Sequence, residues 1–354
     1  MLTPIQIVQS NILNWYDIHH RLFPWRIAPK TNQYCLPDPY KIWLSEIMLQ
    51  QTTVKTAEPY FEKFIHIWPT IFDLSSAKDE EILSAWAGLG YYTRAMNLKK
   101  CADIIVQKYR GQFPNTVEEL KDLPGIGDYT ASAIVSIAYN RFAVVVDTNV
   151  ERIISRYFAT TESPSPSKII IKSHARELTS TTRPGDFAQA MMDLGSLICT
   201  PRKPSCTLCP IQTSCLSFSQ GTSQNFSIKS QKKKKPMRIG AVFLAITPDN
   251  RVLLRKRTHK RLLGNMDELP SSDWSAQKDG DITINSAPFP ANWTLCNKIT
   301  HTFTHFNIKL FVWKADVLQV IPLPKSKWYF VPDLNNAALP TIMKKAIAAG
   351  GIEI

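Results

Sequence analysis

LPGIGDYTASAIVSIAYNRFAVVVD, residues Leu123 to Asp147, decides how this chain folds. It opens with a tight glycine turn, Leu123-Pro124-Gly125-Ile126-Gly127. Ala131, Ile134, Val135 and Ala138 then recur at helical spacing and define one buried stripe. Asn140 and Arg141 end that helix. An extended apolar run, Phe142 to Val146, delivers Asp147 to the start of a second helix with stripe Val150, Ile153, Ile154 and Tyr157. Glycines at 125 and 127 let the backbone turn closely, so its N–H groups and the next helix N-terminus can hold a phosphate. Asp147 closes an uninterrupted apolar run and is expected on a partly buried scaffold. Singly, the turn is only a turn and Asp147 only a helix N-cap. Together, a glycine turn, a helix and a carboxylate 20 positions beyond Gly127 point to chemistry.

Working outward, 354 residues give room for two domains, each with its own core. The net charge of +13 favours a polyanionic partner, nucleic acid or an acidic membrane surface. No apolar run approaches the ~20 residues needed to cross a bilayer. The N-terminal residues lack the basic start and continuous apolar core of a signal peptide. Ile5, Val8, Ile12 and Trp15 fall instead on one helical face. A cytoplasmic location is expected. Cysteine usage agrees, because four of the seven crowd into one segment while Cys35, Cys101 and Cys296 are scattered.

The crowded four are Cys199, Cys206, Cys209 and Cys215, spaced C-x6-C-x2-C-x5-C. Structural zinc sites usually use two close pairs, and here there is one C-x2-C. Four thiolates in so short a loop fit a [4Fe–4S] cluster, with zinc as the alternative.

Tyr40 to Gln51, YKIWLSEIMLQQ, is predicted to be a helix with Glu46 on an apolar face beside Ile42, Trp43, Leu49 and Gln50. Burial disfavours the ionised carboxylate and raises its pKa, which suits a general acid at neutral pH. The competing reading is a glutamate turned to solvent. Trp86-Ala87-Gly88-Leu89-Gly90-Tyr91-Tyr92 interleaves glycines with aromatics, a pattern suited to a wedge entering a base stack and equally to a core.

After Cys215 the composition becomes polar, with four lysines from Lys232 to Lys235. Residues 218–236 read as a basic linker between a helical domain, 1–217, and a small α+β domain, 237–354. In the latter, Thr247-Pro248-Asp249-Asn250 signals a hairpin, and Ile308 to Trp313 is strand-like. Its first part looks Nudix-like. Pyrophosphate hydrolysis would need a helix of metal-binding glutamates, whereas between Leu263 and Gly280 Asp267 and Glu268 stand without any run of the REx2EE kind. A recognition domain is therefore expected.

The stretch 123–147 resembles the helix–hairpin–helix, Gly/Pro-Asp superfamily of base-excision DNA glycosylases, and the cysteine spacing is that of its endonuclease III and MutY branch. Over nearly its full length the chain resembles the MutY family. The carrying stretches are WLSEIMLQQT (Trp43 to Thr52), GLGYY (Gly88 to Tyr92), LPGIGDYTASA (Leu123 to Ala133), VVDTNVER (Val145 to Arg152), AMMDLGSLIC (Ala190 to Cys199), the four cysteines and HTFTHF (His301 to Phe306). That resemblance implies removal of adenine mispaired with 8-oxoguanine or guanine in double-stranded DNA, by a monomer carrying a [4Fe–4S] cluster. It implies that Glu46 protonates the leaving adenine and manages the attacking water, and that Asp147 stabilises the oxocarbenium-like sugar. Tyr129 and Asn149 would position these groups. Arg21, Trp25, Arg26 and Gln189 match positions near the adenine. Gln51, Thr52, Leu89, Gly90 and Tyr91 match lesion-facing loops, and Phe303, Thr304 and His305 match the 8-oxoguanine-sensing loop.

Related endonuclease III enzymes place a lysine at the position of Tyr129 as an amine nucleophile. A tyrosine cannot form a Schiff base, so base removal without efficient strand cleavage is expected. Two residues depart from the family pattern: Thr148 stands where glycine is usual, as in some thymine-mismatch relatives, and Thr304 where serine is common. A thymine-mismatch glycosylase would account for Thr148 and Tyr129 but leaves HTFTHF without purpose. A noncatalytic iron–sulfur DNA-binding protein has no need of Glu46 on an apolar face.

Overall fold

The computed structural model describes residues 2–29, 35–160, 168–226, 234–258 and 262–353. The start of the loop from Asn32 and the lysines at 232 and 233 lie outside them. Among the described residues no helix is long and apolar enough to cross a membrane. The helices in chain order are α1 (Pro4–His19), α2 (Pro39–Leu49), α3 (Val54–Ile67), α4 (Ile71–Ser76), α5 (Asp79–Trp86), α6 (Thr93–Tyr109), α7 (Val117–Lys121), α8 (Asp128–Tyr139), α9 (Thr148–Tyr157), α10 (Lys168–Leu178), α11 (Pro184–Leu197) and α12 (Leu216–Ser219).

By their internal contacts the residues form two units. One comprises Met1–Ser76 and Asn97–Ser230, the other Ala77–Met96 and Gln231–Ile354. The GLGYY loop, read from sequence as part of the helical domain, thus packs with the second unit.

In the helical unit, α8 is the central rod. Its expected stripe Ala131, Ile134, Val135 and Ala138 is buried, as are Ser132, Ala133, Ser136 and Ile137 between those positions. Asn140 ends it in the left-handed region, φ 49°, a conformation asparagine tolerates well. α11 rests its backbone on α8: a Cβ at Gly185 would come within 2.6 Å of the Ser136 carbonyl oxygen. α2 starts where Asp38 caps the Tyr40 N–H at 2.9 Å and Pro39 pre-sets the first turn. It is buried from Ile42 to Met48, so a charged residue within it has no solvated face to occupy.

The second unit is built on strands β1 (Met237–Ile246), β2 (Arg251–Lys256), β3 (Asp267–Glu268), β4 (Thr294–Thr302), β5 (Asn307–Asp316) and β6 (Ser326–Phe330), with helix α13 (Thr341–Ala349). The sheet order is β3-β2-β1-β5-β4, and β6 pairs with β2. β1 and β5 run parallel and the other pairs antiparallel. The expected hairpin joins β1 to β2, with Asn250 at φ 59° and Thr247 Oγ1 donating to Asp249 at 2.6 Å. Each sheet face carries its own apolar layer: Leu310, Ile342 and Met343 belong to one, Phe243, Phe289 and Trp293 to the other. The described residues between 262 and 283 form no helix. Asp267 and Glu268 instead form β3, buried and bonded to Lys256 and to Arg255 and Arg257, so neither is free to hold a hydrolytic metal.

Candidate active site

A cavity of about 940 Å3 opens in the helical unit between α2, α8, α11 and the segment that starts α9. It gathers ten of the residues singled out from sequence, among them every catalytic and adenine-facing candidate: Arg21, Trp25, Arg26, Glu46, Gln51, Thr52, Tyr129, Asp147, Asn149 and Gln189. Thr148 lines it as well.

Glu46 projects from α2 into this cavity and is 6% exposed. One carboxyl oxygen, Oε2, is buried without a hydrogen-bond partner. Burial pushes its pKa up to about 7; the Tyr129 hydroxyl beside it counteracts part of the rise, Asp147 adds to it, and Arg26 opposes it. A carboxyl so placed is half protonated at neutral pH and can both give and take a proton. Tyr129 itself is held protonated, first by burial and then by the charges of Glu46 and Asp147.

Asp147 is fixed twice. Oδ1 accepts the Val150 N–H at 2.7 Å, making Asp147 the N-cap of α9, and Oδ2 accepts the side-chain amide of Asn149 at 2.9 Å. The cap and the candidate carboxylate are therefore one residue, and the helix start aims it. Asn149 is held in turn by Arg152, whose Nη2 donates to Asn149 Oδ1 at 2.9 Å and to the Gly195 carbonyl at 2.7 Å. Its Nε donates to the Cys199 carbonyl at 2.8 Å. A Cβ at Gly195 would approach the Asn149 Cβ to 2.6 Å, so the glycine leaves room for that side chain.

The two arginines are anchored on one buried carboxylate. Asp193 accepts from Arg21 at 2.7 Å and from Arg26 at 2.8 Å, and these cations hold its carboxyl below the usual range despite burial, which opposes them. Both guanidinium groups lie over Phe23. Trp25 stacks on that ring at 5.1 Å and meets Phe61 edge-on. Gln189 is buried and donates to the Gly185 carbonyl at 3.2 Å. Arg21, Phe23, Trp25, Arg26 and Gln189 thus line one cavity together, two cations among aromatic rings.

The glycine turn lies outside the cavity. Gly125 has φ 81°, a conformation costly for any side chain. Gly127 is extended and precedes α8; a Cβ there would meet nothing within 4 Å, so its absence preserves open space before the helix N-terminus. Gln50 ties α2 to this turn through the Gly125 carbonyl and Thr130, both at 3.3 Å.

In the second unit Leu89 is 5% exposed and belongs to the core, while Tyr91 is 40% exposed with φ 50°. The loop is pinned at Gly90, whose carbonyl accepts from Trp86 Nε1 at 3.0 Å and from Arg94 at 3.2 Å. The Tyr91 hydroxyl bonds Thr304 Oγ1 at 2.9 Å, which joins GLGYY to HTFTHF. Phe303 stacks on Phe306, and Thr304 and His305 are exposed at the tip of the turn. Lys235, at the end of the basic run, donates to the Phe303 carbonyl at 2.8 Å.

The four cysteines surround one small cavity. Among the described residues no three His, Cys, Asp or Glu side chains are grouped so as to hold a metal ion. Arg156 closes the site from α9, donating to Cys199 Sγ at 3.2 Å and to the Thr200 carbonyl at 2.8 Å. Sequence reading did not single out Asp193, Arg152 or Arg156. Asp193 was accessible by the logic applied to Glu46, a carboxylate flanked by apolar residues within a helix. The arginines carry no such mark, since cations on an amphipathic helix are ordinarily solvated.

Two family descriptions match: "HhH-GPD superfamily base excision DNA repair protein" over residues 44–178 and "NUDIX domain" over residues 241–349. An adenine DNA glycosylase of Buchnera aphidicola subsp. Schizaphis graminum is 34% identical, with 97% of this chain and 98% of that protein covered. A human adenine DNA glycosylase is 31% identical, with coverage of 95% and 72%. Among solved structures, a thermostable thymine-DNA glycosylase aligns with TM-score 0.54 and 29% identity, covering 61% of this chain and 97% of that one. An endonuclease III aligns with TM-score 0.51 and 22% identity over 62% of this chain and 99% of that one, a likeness of fold.

Proposed function

The chain belongs to the adenine DNA glycosylase family, and from that premise we propose that this base-excision repair enzyme hydrolyses the N-glycosidic bond of adenine mispaired with 8-oxoguanine or guanine. The observation that carries the reading is Glu46, buried, with its pKa raised to about 7, in the same cavity as the fixed carboxylate Asp147.

Breaking the bond leaves an electron pair on the base and positive charge on the sugar. Glu46 gives its proton to the departing adenine, and Asp147 stays ionised beside the developing cation. Water then adds to C1′ and yields a proton to the Glu46 carboxylate, which restores the starting state. Tyr129 and Asn149 orient the two carboxylates. The base must first leave the duplex, at a cost of a few kcal/mol. Phosphate binding before α8, polar contacts from Gln51 and Thr52, and a wedge from the GLGYY loop offset that cost. Arg21, Trp25, Arg26 and Gln189 receive the flipped adenine. Phe303, Thr304 and His305 face the opposite base. Tyr129 supplies no amine, so the enzyme is monofunctional, and it acts as a monomer.

Cys199, Cys206, Cys209 and Cys215 would hold a [4Fe–4S] cluster, which would cross-link their loop. The spacing, with one C-x2-C pair where structural zinc sites usually use two, supports a polynuclear group over a single zinc. For domains, 1–217, a basic linker 218–236 and 237–354 remain our division of the sequence.

The test is base release from four duplexes, adenine or thymine opposite guanine or 8-oxoguanine. Adenine release from both partners is expected. Preferential thymine release, which Thr148 and the thymine-DNA glycosylase likeness would favour, overturns the substrate assignment.

A further inference from the structure

A second polar cavity, of about 250 Å3, lies in the sheet unit and plays no part in the chemistry above. β2, the segment 268–272 and the turn at Pro324-Lys325 bound it. Arg255, Lys256, Arg257 and Lys325 line it, against one lining carboxylate, Glu268, and a second, Asp267, paired to Lys256. The balance is 4 − 2, an excess of two positive charges around a small, half-open cavity.

Most of that charge is held rigidly. Glu268 is buried and shared between Arg255 and Arg257, while Arg255 also donates to the Ser271 carbonyl at 2.9 Å. Lys325 is different. The Lys256 N–H donates to its carbonyl at 3.2 Å, which fixes the turn against β2, and its exposed ammonium pairs with no carboxylate among the described residues. The hydroxyls of Ser271, Ser272 and Thr258 complete the lining. Fixed guanidinium groups, a free ammonium and hydroxyl donors form the donor set that recognises tetrahedral phosphate oxygens.

We propose that this cavity is a phosphate-binding site, filled by a phosphodiester of the duplex backbone or by the phosphate chain of a free nucleotide. Because both neighbouring carboxylates are taken up by cations, it binds without hydrolysing. The proposal rests on the second unit alone and survives whichever base the first unit removes.

The test uses the full-length protein with Lys325→Gln and Lys325→Glu, exposed changes that leave the buried ion pairs intact, and Lys278→Glu as a charge control elsewhere on the unit. One arm measures duplex affinity against salt; the other titrates inorganic pyrophosphate and dATP calorimetrically. A backbone site predicts that Lys325→Gln weakens duplex binding several-fold and lowers the salt slope by about 0.9. Lys325→Glu should weaken it further, and Lys278→Glu far less. A nucleotide site predicts pyrophosphate and dATP binding that both Lys325 variants lose, with duplex affinity unchanged. If wild type binds neither anion and Lys325 variants match the Lys278 control on duplex, the site does not exist.

Discussion

The side-chain amide of Asn149 donates to Oδ2 of Asp147 at 2.9 Å, leaving the carboxylate no rotational freedom once Val150 N–H has taken Oδ1. The residue that starts α9 thus aims its negative charge through a neighbour two residues along. Asn149→Ala frees Oδ2. Because misplacement by about 1 Å costs on the order of 100-fold in rate, single-turnover base release should fall by roughly that factor. Duplex affinity should change little. A variant that cleaves at the wild-type rate would remove Asn149 from the aiming of Asp147.

Glu46 makes both activity and stability depend on pH in the same direction. Its folded pKa lies at about 7, above the unfolded 4.5, so the folded state holds a proton that the unfolded state has lost between those values. Stability falls as pH rises through that window, by up to ~3 kcal/mol for this group, and levels off above about 7. Glu46→Gln should therefore gain thermal stability relative to wild type at pH 8 and little at pH 4.5. Wild-type base release should decline as pH rises through about 7, as the donor form disappears. Parallel melting curves for the two proteins from pH 4.5 to 8 would contradict this account.

What could be read from sequence followed the strength of local patterns. The α8 stripe, the capped start of α9 and the buried face carrying Glu46 are consequences of residue spacing, and each element stands where that spacing implies. Tyr91 shows the limit. Nothing in GLGYY distinguishes Leu89, which is buried, from Tyr91, which is exposed, because both are apolar residues among glycines. The left-handed backbone at Tyr91 and the pinned Gly90 carbonyl decide it, and both depend on Arg94 and Trp86 in three dimensions. Likewise the Asp193 anchor joins residues 172 positions apart in the chain, a pairing no local pattern encodes.

Arg152 links the carboxylate to the cysteine loop. Arg152→Ala removes donors to Asn149, Gly195 and Cys199 together; the Asn149 amide oxygen and the Gly195 carbonyl lose this partner in a half-buried setting, while Arg156 still donates to the Cys199 carbonyl at 3.3 Å. At about 1 kcal/mol for each net hydrogen bond, a loss of roughly 2–4 kcal/mol in stability is expected. Base release should slow as Asn149 loosens. Arg152→Lys carries its three donors on one nitrogen and cannot span the acceptors that Nε and Nη2 reach separately, so it should recover only part of either property. Melting temperature and single-turnover rate, measured together, check this; full recovery by lysine would show that charge alone matters.

The hydroxyl pair Tyr91–Thr304 fixes two loops of the second unit against each other. Each hydroxyl is the other's partner, so removing either one ends the bond. Tyr91→Phe and Thr304→Ala should therefore be non-additive: the double variant should lose little more than either single one, with a coupling of about 0.5–1.5 kcal/mol. If these loops read the base opposite adenine, the loss should appear as a smaller preference for 8-oxoguanine over guanine, with cleavage at guanine mispairs nearly unchanged. Thr304→Ser keeps the hydroxyl and should keep the preference. The measurement is the ratio of base-release rates on the two duplexes for all four variants. Additive losses, or equal losses on both duplexes, would place the two hydroxyls in separate and purely structural roles.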